Sequence, residues 1–180
     1  MHVGLRELES GLDEIRRAPR DAGRLALIVR RPAADEREVI AEAALDVASG
    51  LIGDSWNPRH DPDGCAQVTL MNARVIALLA PDQSRWPLTG DQLFVDFDLS
   101  EANVPAGTRL AVGNAIIEVT PEPHTGCRKF ASRFGVEAVK FVNSPMGRAL
   151  NLRGINTRVV ASGLVRVGDE VRKHGGRAHQ

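Results

Sequence analysis

Two short apolar runs, Leu110 to Val112 and Ile116 to Val119, flank the dipeptide Gly113-Asn114. A Gly-Asn pair between β-forming runs signals a two-residue hairpin, because such turns need residues that accept positive φ. The same grammar recurs through the second half of the chain. Gly90-Asp91-Gln92-Leu93 leads into a run over Phe94 to Phe97, and Thr157 to Ala161, Leu164 to Val167 and Val171 are separated by turns at Ser162-Gly163 and Gly168-Asp169. Strands this short and this closely spaced predict a small barrel rather than a parallel sheet. Helical patches at Val136 to Val142 and Arg148 to Leu150 make the fold class α+β and β-rich, a small β-barrel with flanking helices.

The earlier residues read as scaffold. Leu5, Leu8, Leu12 and Ile15 have helical spacing, and Leu25 to Val29 is an apolar strand between Arg24 and Arg30. Asp35-x-x-Glu38 has the form of a capping box opening a helix to about Ala48, with Val39, Ile40, Ala43, Ala44 and Val47 as its buried stripe and Gly50 as its stop. Residues 1–49 thus form a helix/strand/helix extension, an α/β unit packed on a main domain of residues 50–173, with 174–180 as a tail. No chemistry is assigned before residue 50. Gln67 to Met71 reads as a strand, and Asn72 caps a helix from Ala73 to Ala80 that Pro81 ends. His60, Asp61, Asp63 and Cys65 could be taken for metal ligands, but crowded on a Pro/Gly-rich loop they fit an ordinary surface turn better. Cys65, just ahead of a strand, is read as structural.

Chemistry is expected at Pro123-His124-Thr125-Gly126-Cys127-Arg128-Lys129-Phe130. A lone Cys is often a small core residue. Here the thiol lies in a turn, follows Gly126 and is followed by Arg128, Lys129 and Arg133, cations that favour the reactive thiolate. His124 could hold or pass a proton beside it. From Pro121 onward there are 11 Lys/Arg against 4 Asp/Glu, whereas the first 120 residues have 12 against 19. A basic half around a thiolate suits an anionic small molecule or phosphate. Nucleic acid is disfavoured by the scarcity of stacking aromatics. Cys65 and Cys127 form no Cys-x-x-Cys pair, which argues against structural zinc and a dithiol. No apolar run has membrane-spanning length and the charged N-terminus is no signal peptide, so a soluble cytoplasmic protein is expected.

From about Gly50 to Arg172 the chain resembles the MOSC domain, named after the C-terminal part of molybdenum-cofactor sulfurase. The resemblance rests on ordered landmarks: Gly50-x-x-Gly53-Asp54, Gly90-Asp91-Gln92-Leu93, Val104-Pro-Ala-Gly107 with Leu110-x-Val-Gly113, Cys127-x-Lys129-Phe130-x-x-Arg133-Phe134-Gly135, Arg153-Gly154-x-x-x-Arg158-Val159, and Gly163-x-Val-x-x-Gly168-Asp169-x-Val171. It implies a β-barrel whose cysteine ligates molybdenum or handles sulfur for the molybdopterin cofactor, and stand-alone bacterial members that resemble reductases of N-hydroxylated compounds. On that reading Cys127 is the metal ligand and, with His124, the catalytic pair. Arg128, Lys129, Arg133, Arg153, Arg158, Asp91, Gln92 and Asp54 are the candidate cofactor contacts. The partners would be a small-molecule substrate and an electron-donor protein, since the chain carries no flavin, haem or iron–sulfur motif. Non-catalytic sulfur carriage as a Cys127 persulfide and an anion-binding regulatory role are the alternatives. Pyridoxal phosphate is not expected in a chain of this length, and oligomeric state is left open. Three departures fall around the expected site: His124-Thr125-Gly126-Cys127 stands for Arg-x-Pro-Cys, Gly90-Asp91-Gln92-Leu93 for Gly-Glu-Asn-Leu, and His60-Asp61-Pro62-Asp63-Gly64 for a His-Gly-Gly loop.

Overall fold

The computed structural model describes residues 1–175. Two short helices, Leu5–Ser10 (α1) and Leu12–Arg16 (α2), are anchored by buried Leu8 and Ile15. The strand Ala22–Arg30 (β1) follows, then Glu38–Ile40 (β2), Glu42–Asp46 (β3) and Gly50–Leu51 (β4). Val68–Asn72 (β5) runs directly into Ala73–Leu79 (α3), because the Asn72 side chain accepts the Arg74 amide and caps the first turn. A 3₁₀ segment, Gln83–Thr89, leads to Leu93–Asp96 (β6). The predicted hairpin forms from Arg109–Val112 (β7) and Ala115–Val119 (β8), with Gly113 at φ 52°. Three helices come next: Arg128–Phe134 (α4), Val136–Asn143 (α5) and Pro145–Ala149 (α6). Ile155–Ala161 (β9), Gly163–Arg166 (β10) and Glu170–His174 (β11) complete the chain order.

The sheet runs β11-β7-β8-β9-β5-β6-β1 and closes through β1 against β11, where Ala22 faces Arg172. The result is a seven-stranded barrel. Its one parallel junction is β5–β6, with Leu70 opposite Leu93. β2 continues the sheet from the far end of β1, while β10, β3 and β4 form a second small sheet that lays Leu45, Leu51 and Val165 into the barrel core. Closure removes open sheet edges, the usual liability of short strands.

Both faces of several strands are buried. Leu70, Leu93 and Val95 point into the barrel, while their neighbours Met71 and Phe94 point out, under α1 to α5, with Phe130, Phe134 and Phe141. In β1, Leu25 and Ile28 both face inward although three residues apart. The register shift against β6 between Leu25 and Leu27 supplies the extra residue that restores their parity.

Three expectations need correction. The helix from Asp35 to Ala48 is instead the β2/β3 pair: Asp35 is a turn residue at φ 61°, β3 pairs with β10, and Ala43 and Leu45 are buried in alternation. Val39 and Val47, assigned to a buried stripe, are 60% and 51% exposed. Residues 1–49 are accordingly no helix/strand/helix extension on a separate domain, since β1 is a barrel stave between β6 and β11. His174, placed in the tail, pairs with Arg109 in β11, and residues 176–180 of that tail lie outside the described residues.

Candidate functional site

After β8 the chain leaves the barrel along Thr120 to Cys127, and this loop is held by its main chain, largely through two asparagine side chains. The Thr120 amide donates to the Asn156 carbonyl, and Asn156 Nδ2 donates to the carbonyls of Glu122 (3.0 Å) and Pro123 (3.3 Å). The Asn143 side chain clamps Gly126 from both sides, accepting its amide at 2.9 Å and donating to its carbonyl at 3.0 Å. The missing side chain of Gly126 lets the loop lie against α5, where an added Cβ would stand 3.0 Å from Val142.

Cys127 is thereby set, exposed, at the residue before α4. The amide of Phe130 draws its pKa below the ordinary thiol value; burial opposes this, and the Lys129 amide and then the Arg153 charge add to the lowering. No side-chain hydrogen bond of ordinary geometry caps the helix. The effect is therefore that of oriented N–H dipoles and a nearby guanidinium, which favour thiolate.

Arg153 is fixed by an acid buried in the fold. Asp91 is fully buried; one carboxylate oxygen accepts from Arg153 Nη1 at 2.7 Å, and the other meets His124 Nε2 at 3.0 Å. Burial would raise the pKa of Asp91, but the charges of Arg153 and His124 and their hydrogen bonds hold it far below the carboxylate range. An ionised carboxylate only accepts, so Nε2 carries the proton and Nδ1 is left as the free ring nitrogen of His124. Arg153 also donates to the Thr89 carbonyl at 2.9 Å, and its guanidinium stacks 4.9 Å over the Phe130 ring. Its Nε is buried and has no hydrogen-bond partner among the described residues. Gly154 makes the arrangement fit: at φ 104°, a Cβ there would sit 2.2 Å from the Leu70 carbonyl oxygen and touch the His124 ring.

The other expected residues divide. Lys129 lines an open groove of about 340 Å³ with Arg31, Arg37, Trp56 and His60. Burial and then the charges of Arg133 and Arg31 lower the pKa of Arg37, the mark of crowded cations. Arg37 itself is held by the main-chain carbonyls of Pro87 and Glu36. Arg133 donates to the Leu88 carbonyl at 2.8 Å and lies 3.5 Å from Asp35. Asp54 is taken up by Arg31, which grips it with Nε and Nη2 at 3.0 and 2.7 Å. Gln92 is fully buried, accepting from the Thr69 amide and hydroxyl while donating to Asp54. Both are wired into the scaffold below the groove. Arg158 is directed elsewhere, onto Glu118 at 2.7 Å on the barrel exterior, and Arg128 is exposed beside Cys127. In the 57–65 loop, Asp61 accepts from the Cys65 and Ala66 amides and from Trp56 Nε1, the pattern of a turn. Among the described residues no group of three or more His, Cys, Asp or Glu side chains could hold a metal ion.

The profile of the MOSC domain matches residues 73–172. The chain belongs to the MOSC domain family. That family is associated with the molybdenum cofactor. Among solved structures, YuaD of Bacillus subtilis is similar over 87% of this chain and 97% of its own, at 17% identity and a TM-score of 0.59. YiiM of Escherichia coli is similar over 87% of this chain and 72% of its own, at 21% identity and a TM-score of 0.57. At such identities the likeness concerns the fold. No curated protein matches by sequence.

Within this MOSC barrel, Arg31 and Arg37 are the site residues that the sequence reading passed over. Their signal was present: Arg30-Arg31-Pro32 terminates an apolar strand, which places paired cations at a sheet end. The sequence reading assigned no chemistry before residue 50, yet β1 belongs to the barrel and leads into residues of the groove.

Proposed function

We propose that this MOSC protein binds a molybdenum–pterin cofactor through the Cys127 thiolate and reduces N-hydroxylated or related small molecules, with electrons delivered by a partner protein. The observation that supports this most is an exposed, pKa-lowered cysteine at the head of α4, with Lys129, two residues on, lining a groove together with Arg37 and Arg31. The donor set fits the group. Soft thiolate suits molybdenum, and a cationic groove suits a phosphate tail. Arg37 and Lys129 would hold the anionic end, Arg31 would frame it while bound to Asp54, and Arg153 would stabilise the thiolate. The cofactor, when bound, supplies the redox chemistry. The chain's own part is to orient Cys127, to keep it ionised, and to present His124 Nδ1 as a proton-holding atom fixed by Asp91.

Exposure of the thiol equally favours a second reading, sulfur carriage as a Cys127 persulfide, which chemical trapping of the persulfide would separate from the first. The primary reading predicts that loading with the cofactor protects Cys127, and not Cys65, from alkylation. Unchanged labelling of Cys127 in loaded protein would overturn it.

A further inference from the structure

A second concavity, of about 330 Å³, shares no lining residue with the cationic groove: it is bounded by Thr120 to His124, by Glu101 and Val104 to Ala106, and by Asn151 with Gly154 to Asn156. Its character is the opposite of the groove's. No Lys or Arg lines it, and its one histidine, His124, is tied to the Asp91 carboxylate. Val104, Val119 and Ile155 give it a buried apolar floor, and Glu101 and Glu122 stand exposed at its rim. Several glutamates of this protein are matched with arginines, as in Glu38 with Arg30, Glu118 with Arg158 and Glu42 with Arg166, while Glu7, Glu9 and Glu36 are exposed without one among the described residues. Neither rim glutamate has such a partner among the described residues.

Asn156 adds an independent observation. It is 3% exposed, yet it lines the cleft. Its Nδ2 is spent on the carbonyls of Glu122 and Pro123, and no donor among the described residues engages its Oδ1. Asn156 Oδ1 is not sealed off from solvent, so it is an acceptor that a donor in the cleft can reach. Acceptor oxygen within, two carboxylates at the rim and an apolar floor define complementary chemistry: a compact apolar body carrying a positively charged N–H group.

We infer that this cleft is a binding site for a small organic cation, such as a primary alkylammonium. The ammonium sits between Asn156 Oδ1 and the Glu101 and Glu122 carboxylates, with its apolar body over Val104, Val119 and Ile155. The site requires no metal and stands whether or not Cys127 ligates one.

Phenethylammonium is the probe, with 2-phenylethanol and 3-phenylpropanoate as neutral and anionic counterparts of similar shape, each titrated into the full chain and followed by amide NMR. The expected result is saturable shifts at the Asn156 side-chain amide and at Val104 and Ile155 with phenethylammonium, and at least about tenfold weaker binding of the other two. Glu122→Gln should weaken the ammonium by roughly three- to tenfold, and Glu101→Gln with Glu122→Gln should abolish its preference over the alcohol. Both glutamates are exposed, so these variants keep the fold. Equal binding of the three probes, shifts confined to Lys129 and Arg37, no saturable shift at millimolar probe, or unchanged affinity in the double variant would each overturn the assignment.

Discussion

At the scale of single residues, two cysteines of one chain are given different chemistry by their neighbours. Cys127 is exposed, with amide dipoles and Arg153 lowering its pKa, whereas half-buried Cys65 sits in a turn made by Asp61. Alkylation should therefore label Cys127 first, with a rate midpoint below the unperturbed thiol pKa of about 8.5. Faster labelling of Cys65, counted by peptide mass, would misplace the centre. Asp91 is the residue on which the site's order depends, since it neutralises buried Arg153 and orients His124. Asp91→Asn leaves the guanidinium buried without a counter-charge and should cost about 3–5 kcal/mol in denaturant unfolding. The pH dependence follows from the depressed pKa of Asp91. Its stabilisation is complete above the unfolded carboxylate value of about 3.9 and is lost as pH falls below that, so acid unfolding should be less steep in Asp91→Asn. Asn143→Ala removes both bonds to Gly126 and should cost about 1–3 kcal/mol while slowing Cys127 alkylation. An unchanged labelling rate would show that the clamp does not place the thiol. Cys127 was legible from its cationic neighbours alone. Asp91 as the bridge was not, because its partners lie 33 and 62 positions away and only the barrel brings them together.

At the scale of elements, the β7/β8 hairpin and the β5-to-α3 transition are written locally, in Gly113-Asn114 and in the Asn72 cap. The segment from Asp35 to Asp46 is not. Val39, Ile40, Ala43 and Ala44 fit a helical period, while Ala43 and Leu45 fit a strand period; pairing with β10 and contact with Leu51 decide between them. Side-chain deletions can check that outcome. Val39→Ser should change stability by no more than about 0.5 kcal/mol, whereas Leu45→Ala should cost about 2–5 kcal/mol. A helix with the expected stripe would give Val39 the larger cost. Helix α4 escaped the sequence reading because its first turn is Arg128-Lys129 and its burial rests on Phe130 and Phe134 against the 3₁₀ segment, contacts remote in sequence.

At the scale of the whole molecule, charge order along the chain and charge order in space differ. The basic second half suggested cations converging on Cys127. Arg158 and Arg166 are instead spent on Glu118 and Glu42, and the groove beside Lys129 takes Arg31 and Arg37 from the acidic first half. Barrel closure causes this, since β1 enters next to β6 and β11 and the chain that follows it brings Arg31 and Arg37 into one groove with Lys129. The MOSC landmarks were readable as ordered fragments, and the fold that joins them is the one they implied. The proposed hold of one thiolate on a molybdenum–pterin cofactor is decided by molybdenum and pterin content per chain in wild type and Cys127→Ser, both purified from a molybdenum-replete host and shown to be folded. Wild type should carry near-stoichiometric molybdenum and pterin, and Cys127→Ser should lose the metal; equal molybdenum in the two proteins, or none in wild type, would rule out Cys127 as the ligand.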